Sequence, residues 1–188
     1  SKASADLVAF SFNKTYKTNI QIVNLCNCYG SYQFLEKFIP TCIFSLIKNK
    51  PLPLYGKGKN VREWMHVNDA CRAIFKIALS KDKNFRYNIG SNLRYNNINI
   101  AKKIFQILKK QNLTKLNKKN YFRFVKDRPG HDLRYALNSS LFKKTFKFKI
   151  YYKLDDGLQN TINWYLNNKK WTNYILKKFT GKRLGLNG

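Results

Sequence analysis

The sequence predicts an α/β fold of ordinary domain size, and three observations lead there. Stretches with apolar residues at helical spacing alternate along the chain with short β-branched or aromatic runs of extended character. Apolar residues make up 44% of the 188, enough for one real core. No internal repeat and no low-complexity linker interrupts the alternation, so helices and strands belong to mixed layers, α/β or α+β on pattern alone.

The elements follow in order. Ala5, Val8, Ala9 and Phe12 sit at helical spacing in "SKASADLVAFSFNKTY" (1–16), a helix under way from the first residue. "NIQIVNLC" (19–26) alternates and is β-branched, a strand, and "NCYGSYQF" (27–34) reads as a loop around Gly30. Residues 35–48 predict a helix ended by "NKPLP". "LPLYGKGKN" (52–60) gives a short extended piece and a Gly-x-Gly turn, and "VREWMHV" (61–67) is extended. Asn68 or Asp69 is the expected cap of a helix running through Leu79. A short strand at "FRYNIG" (85–90) precedes a long amphipathic helix from Asn97 or Asn99 to about 111. After the irregular stretch 112–120, "YFRFV" (121–125) alternates as a strand. Asn138 or Ser139 caps a further helix, and 154–168 forms the last one, ending at "NNKK" before a loose tail, "TGKRLGLNG" (180–188).

The formal charge is +28, from 37 Lys and Arg against 9 Asp and Glu. Charge alone suggests a polyanion partner, but the kind of residue argues otherwise. Only eight of the cations are Arg; the rest are Lys spread along the chain among many Asn, Ile, Phe and Tyr. A base-composition bias in the genome produces that mixture without any selection for nucleic acid. Apolar windows such as "CIFSLI" (42–47) are far too short to span a bilayer. Cys26, Cys28, Cys42 and Cys71 form no paired ligand spacing, so they read as reduced cytosolic thiols and no metal is expected.

Three short stretches hold five of the nine acids: Glu36, Glu63, Asp69, Asp127 and Asp132. "NCYGSYQFLEKFIP" (27–40) puts Asn27 after a strand and Glu36 and Lys37 at a helix start. "LPLYGKGKNVREWMHVNDA" (52–70) joins Tyr55, a flexible glycine turn and Arg62, whose fork suits a phosphate. The plainer reading of Arg62 and Glu63 is a surface ion pair, worth little. "DRPGHDLRY" (127–135) presents Arg128 and His131 on a rigid Pro-Gly turn, as a bound anion requires.

In this order, the segments resemble the C-terminal half of the extended short-chain dehydrogenases that act on nucleotide sugars, and within that family the dTDP-glucose 4,6-dehydratases. "SKASAD" resembles the lysine end of the family's Tyr-x-x-x-Lys helix, and "NCYGSYQFLEKFIP" its Asn-x-Tyr-Gly-Pro-Tyr-x-x-Pro-Glu-Lys segment. "PLPLYGKGKNVREWMHVNDACRA" is similar to its Tyr-Gly-x-Gly…Arg-x-Trp-x-x-Val-x-Asp segment, and "YNIGSN", "DRPGHDLRYAL" and "WYL" follow. Cys28 stands where the family usually has a second Asn, and Ser31 and Leu35 where it has prolines.

The resemblance implies an incomplete Rossmann-type fold, its last strands and helices, interleaved with a small α/β C-terminal substrate-binding domain. It implies NAD as cofactor and dTDP-glucose as substrate: hydride leaves C4 for NAD, water is lost across C5 and C6, and hydride returns to C6. Lys2 would be catalytic and cofactor-binding, favouring a tyrosinate three residues before Ser1, and Cys28 would lie by the cofactor. Asn27, Lys37 and Phe38 would meet the sugar end or the diphosphate. Pro53 and Tyr55 would line the base pocket with Asn97 nearby. Arg62 would bind the diphosphate, and Arg128 and His131 would close over it, with Asp127 and Asp132 holding their loop. The implied full-length enzyme is a cytoplasmic homodimer without nucleic-acid or membrane partners. The chain begins at Ser1, has Met65 as its only Met, and carries neither the glycine-rich dinucleotide fingerprint nor the family's Thr-Asp-Glu group. It therefore reads as the half without the NAD-binding part, inactive by itself. A nucleotide-sugar 4-epimerase, a UDP-glucuronate decarboxylase and, on charge alone, a nucleic-acid-binding module are the alternatives.

Overall fold

The computed structural model describes residues 1–127 and 129–178. Seven helices and eight strands occur among them, in the order α1 (Lys2–Tyr16), β1 (Ile22–Leu25), β2 (Asn27–Tyr29), α2 (Phe38–Ile47), β3 (Leu52–Tyr55), β4 (Val61–His66), α3 (Val67–Ala78), β5 (Arg86–Ile89), β6 (Arg94–Asn96), α4 (Asn97–Lys110), β7 (Phe122–Val125), β8 (Arg134–Tyr135), α5 (Ser140–Phe146), α6 (Leu154–Asn167) and α7 (Lys169–Lys178). The mixed α/β class expected from the alternation is the one observed.

β4 organises the molecule. It pairs in parallel with β2, antiparallel with β6 and in parallel with β8. Trp64 and Met65 point to opposite faces, as the period of two demands, and each face has its own core. Trp64 joins Tyr29, Leu52, Leu54 and the inward residues of α2, α4 and α6. Met65 joins Cys26, Ala70, Ala73, Ile77, Tyr87, Ile89, Phe142, Phe146 and Phe148. With both faces covered, all of β4 after Val61 is buried. Two further parallel pairs flank it: β1 with β5, and β3 with β7.

The helices follow their apolar spacing. α4 buries Ile100, Ala101, Ile104, Phe105 and Leu108 on one stripe, and Asn96 caps it by accepting a hydrogen bond from the Asn99 amide (3.0 Å). α6 buries Leu154, Leu158, Thr161, Ile162 and Tyr165. α1 differs: it forms as its spacing predicts, yet buries no residue and leaves Leu7, Val8, Phe10, Phe12 and Tyr16 exposed.

Several local expectations are corrected. The 27–34 loop begins as strand β2, because Asn27–Tyr29 finds a ladder partner in Trp64–His66. The cap of α3 is neither Asn68 nor Asp69. His66 takes that role, its Nδ1 accepting from the Asn68 amide (3.3 Å). Asp69 is instead wholly buried, its carboxylate accepting from the amides of Tyr151 (3.1 Å) and Tyr152 (2.9 Å) and from Arg72 (2.6 Å). It ties α3 to the start of α6. β6, β8 and α7 were not foreseen; the two strands are three and two residues long, too short to show a period. The tail 180–188 lies outside the described residues.

Candidate functional site

Between β3 and β4 the chain reverses through Gly56 and Gly58, both at positive φ (53° and 66°). A side chain there is disfavoured twice over. The left-handed backbone suits glycine, and a Cβ on Gly56 would stand 3.1 Å from the Asp127 carboxylate, one on Gly58 3.1 Å from Ile98. This turn brings Tyr55 and Asn60 against the 127–135 segment.

There the contacts converge. Asn60 Nδ2 donates to the carbonyl oxygen of Asp132 (3.1 Å), and Arg62 Nη2 donates to the same oxygen (2.9 Å). Arg62 Nη1 donates to the Val61 carbonyl (2.8 Å). Arg62 is buried, and its register partners are Tyr95 on β6 and Tyr135 on β8. Nδ1 of His131 lies 2.6 Å from Asp127 Oδ1 and 3.3 Å from Asn60 Nδ2. The shorter contact assigns the proton to Nδ1, donating to the carboxylate, and leaves Nε2 for another partner. The Tyr55 ring meets the His131 ring edge to face, with centroids 6.2 Å apart. Asn97, the first residue of α4, donates its amide to the Asn60 carbonyl (3.1 Å).

The structure therefore gathers Tyr55, Arg62, Asn97, Asp127 and His131 into one cluster. Pro53 is on β3, just before the glycine turn, and Arg128 lies outside the described residues. Asp127 engages the loop through its side chain on His131, whereas Asp132 does so through its backbone oxygen. A second group surrounds Trp64. Asn27 is its register partner, and the Phe38 ring lies 6.1 Å from it, centroid to centroid. Lys37, exposed just before α2, pairs with Glu36 at 2.6 Å. Cys28 sits on the other face of β2; burial first, and the neighbouring Cys71 second, push its thiol up to about 11, so it is a neutral group. Lys2 is exposed at the first position of α1, and no described hydrogen bond, ion pair or ring contact joins it to the others.

Two residues were missed. Asn60 holds the Asp132 carbonyl and lies against the His131 ring; its signal was its place in the glycine turn two residues before Arg62. Glu63 is not the surface partner of Arg62. It is completely buried on the opposite face of β4, where it accepts from the amides of Asn92 (2.7 Å) and Leu137 (3.0 Å) and stands 3.8 Å from Arg94 Nε. Alternation along a strand puts neighbours on opposite faces, which already forbids the pair.

The buried polar interior also contains unpaired atoms: the Tyr29 hydroxyl and the Trp64 indole nitrogen have no hydrogen-bond partner among the described residues. Burial raises the Tyr29 phenol well above its usual range, so it stays protonated. Among the described residues no group of three or more His, Cys, Asp or Glu is placed to hold a metal ion.

Fold and cluster define a mixed α/β chain in which a cationic strand residue and a hydrogen-bonded turn come together. The comparisons make this specific. The family model for GDP-mannose 4,6 dehydratase matches residues 1–161, and the chain belongs to that family. It is 38% identical to dTDP-glucose 4,6-dehydratase of Escherichia coli over 99% of its own length and 53% of that protein's. Among solved structures it resembles dTDP-glucose 4,6-dehydratase of Bacillus anthracis in complex with NAD (TM-score 0.82, 37% identity, 93% of this chain and 53% of that one). It also resembles the Streptomyces venezuelae enzyme of the same name, solved with NAD and a second ligand (TM-score 0.83, 35% identity, 93% and 52%). The chain thus spans about half the length of the curated relatives it matches.

Proposed function

We propose that the chain is the C-terminal, substrate-binding half of an NAD-dependent dTDP-glucose 4,6-dehydratase, and that it does not turn over by itself. The observation that carries the reading is the joint hold of Asn60 and Arg62 on the Asp132 carbonyl, beside His131 and Tyr55. It brings an arginine close to a histidine that packs on an aromatic ring, a grouping that suits the phosphates and base of a nucleoside diphosphate. Arg62, Arg128 and His131 bind the diphosphate; Tyr55 and Pro53 line the base with Asn97 behind them; Asn27, Lys37 and Phe38 face the sugar. Lys2 and Cys28 lie at the nicotinamide end, and NAD, when bound, accepts and returns the hydride. The neutral thiol of Cys28 fits beside an uncharged nicotinamide amide.

The exposed apolar side chains of α1, and β1, paired only with β5 among the described residues, mark where the NAD-binding half and a second subunit of a homodimer pack. Parallel strands are normally covered on both faces. The four cysteines are free, in keeping with work in the cytoplasm, and no helix among the described residues is long and apolar enough to cross a membrane. The test is reconstitution with the N-terminal half of the E. coli relative. The mixture should convert dTDP-glucose to the 4-keto-6-deoxy sugar while either half alone is silent. Lys2→Met should abolish turnover and leave dTDP affinity within twofold. A 4-epimer as product would favour the epimerase alternative, and turnover by this chain alone would sink the half-enzyme reading.

A further inference from the structure

The segment that carries half of the cluster has no core of its own. No described residue from Phe122 to Asn138 is buried, and Leu133 and Tyr135 are 71% and 42% exposed. Phe122 and Leu137, at its two ends, pack partly buried against the cores, and apolar burial contributes little to holding the residues between them. Polar contacts to β4 hold it instead. The Asp132 oxygen takes two donors, the Leu133 oxygen accepts from the Val61 amide (2.8 Å), and β8 continues the ladder. The run ends at Leu137, whose amide donates to Glu63 Oε2 (3.0 Å) while its carbonyl accepts from Arg94 Nη2 (3.3 Å).

Glu63 is built as a stiff joint. Its carboxylate is inaccessible to solvent and engages the backbone amides of two separate segments, Asn92 and Leu137. Charge-assisted bonds of this kind are about twice as strong as neutral ones. Gly90 closes the third side: a Cβ there would stand 2.3 Å from Oε1, so the carboxylate fits only because residue 90 has no side chain. Ser139, just past the joint, is buried and donates to the Gly90 carbonyl (3.2 Å), so residues 90–92 and 137–139 are fastened together at this carboxylate.

We propose that Glu63 is a positioning residue that fixes residues 131–137 on β4 before any ligand arrives, so that His131 and Arg62 face a nucleoside diphosphate already in register. Glu63 does not touch the ligand; it lies on the face of β4 opposite Arg62. The ligand half of this statement rests on the nucleotide-binding reading above, and the joint itself does not.

Hydrogen exchange on the unliganded chain decides the joint. The Leu137 amide should be protected at least about 100-fold relative to its unstructured rate. Glu63→Gln, which turns an amide nitrogen toward one of the two donors, should cut protection at Leu137 and Asn92 about tenfold or more. The amides of Ile104 and Leu158 should not change. Protection at Leu137 that appears only after dTDP is added would overturn the proposal, as would unchanged protection in the variant. Should the variant not fold, the exchange of the native chain decides by itself.

Titration with dTDP decides the ligand half. Glu63→Gln should weaken affinity about tenfold, and combining it with Arg62→Ala should cost less than the two losses multiplied, because both act through the same segment. Multiplicative losses would reduce Glu63 to general stability and overturn its positioning role. A native chain with a protected Leu137 and no dTDP binding would overturn the ligand half and the nucleotide reading together, with the joint judged by exchange alone.

Discussion

Replacing Arg62 with alanine separates binding from stability, and the structure sets both magnitudes. The guanidinium donates to the Val61 and Asp132 carbonyls at 2.8 and 2.9 Å. In the variant the Asp132 oxygen keeps its bond from Asn60 Nδ2 at 3.1 Å, so the acceptor is not orphaned. Each net hydrogen bond contributes about 1 kcal/mol, and the cost to stability should be about 1–2 kcal/mol. A lost charged bond to the ligand costs more, about 1.5–3 kcal/mol, which is roughly a tenfold to 150-fold weaker dissociation constant. Calorimetric titration with dTDP, paired with urea unfolding of both proteins, measures the two quantities. An affinity within twofold of native would remove Arg62 from the site. A stability loss above about 4 kcal/mol would make it a structural residue instead.

Two further outcomes concern the frame around the site. Asp69→Asn should lower stability by about 2–4 kcal/mol in urea unfolding, because one of the amides of Tyr151 and Tyr152 or the Arg72 guanidinium would face an NH2 group; a loss below about 1 kcal/mol would contradict the tie between α3 and α6. His66 gives a pH dependence. Burial holds its imidazole below the ordinary value of 6.5, against the pull of Asp69. The unfolded chain therefore takes up a proton that the folded one rejects, and stability falls as pH drops below about 6.5 toward the folded value, with no such loss above it. His66→Asn keeps a capping acceptor and should lose less melting temperature than the native chain between pH 7.5 and 5.5; equal losses would acquit His66.

Much of the frame was legible because its signals are local. The stripe of Ile100, Ile104 and Leu108 and the β-branched 22–25 run state their periods within one element. The missed elements lack that signal. β6 and β8 exist only because β4 offers them a ladder, and nothing within "RYN" or "RY" announces a strand. Capping failed for the same reason. Asn68 and Asp69 are good caps by type, but Asp69 is drawn inward by two amides eighty residues away, and His66 takes the position. In the site, the residue types marked Tyr55, Arg62 and His131 before their geometry was known. Asn60 and Glu63 act on the backbone of distant segments, a role that residue type does not reveal. α1 shows the converse: its apolar spacing was readable, and that the helix would stay unburied, with Phe10 meeting Phe85 edge to face, was not.

The proposed binding of a nucleoside diphosphate by this half of a larger enzyme is measurable on the chain itself. Its most direct test is a titration of the chain with dTDP at 50 and 200 mM salt, with thymidine and a short DNA duplex as comparisons. A diphosphate site should give saturable one-to-one binding of dTDP that weakens less than about tenfold between the two salts, and thymidine binding at least about tenfold weaker. No saturable dTDP binding, together with duplex binding that collapses about a thousandfold with salt, would contradict it and return the +28 charge to a polyanion partner.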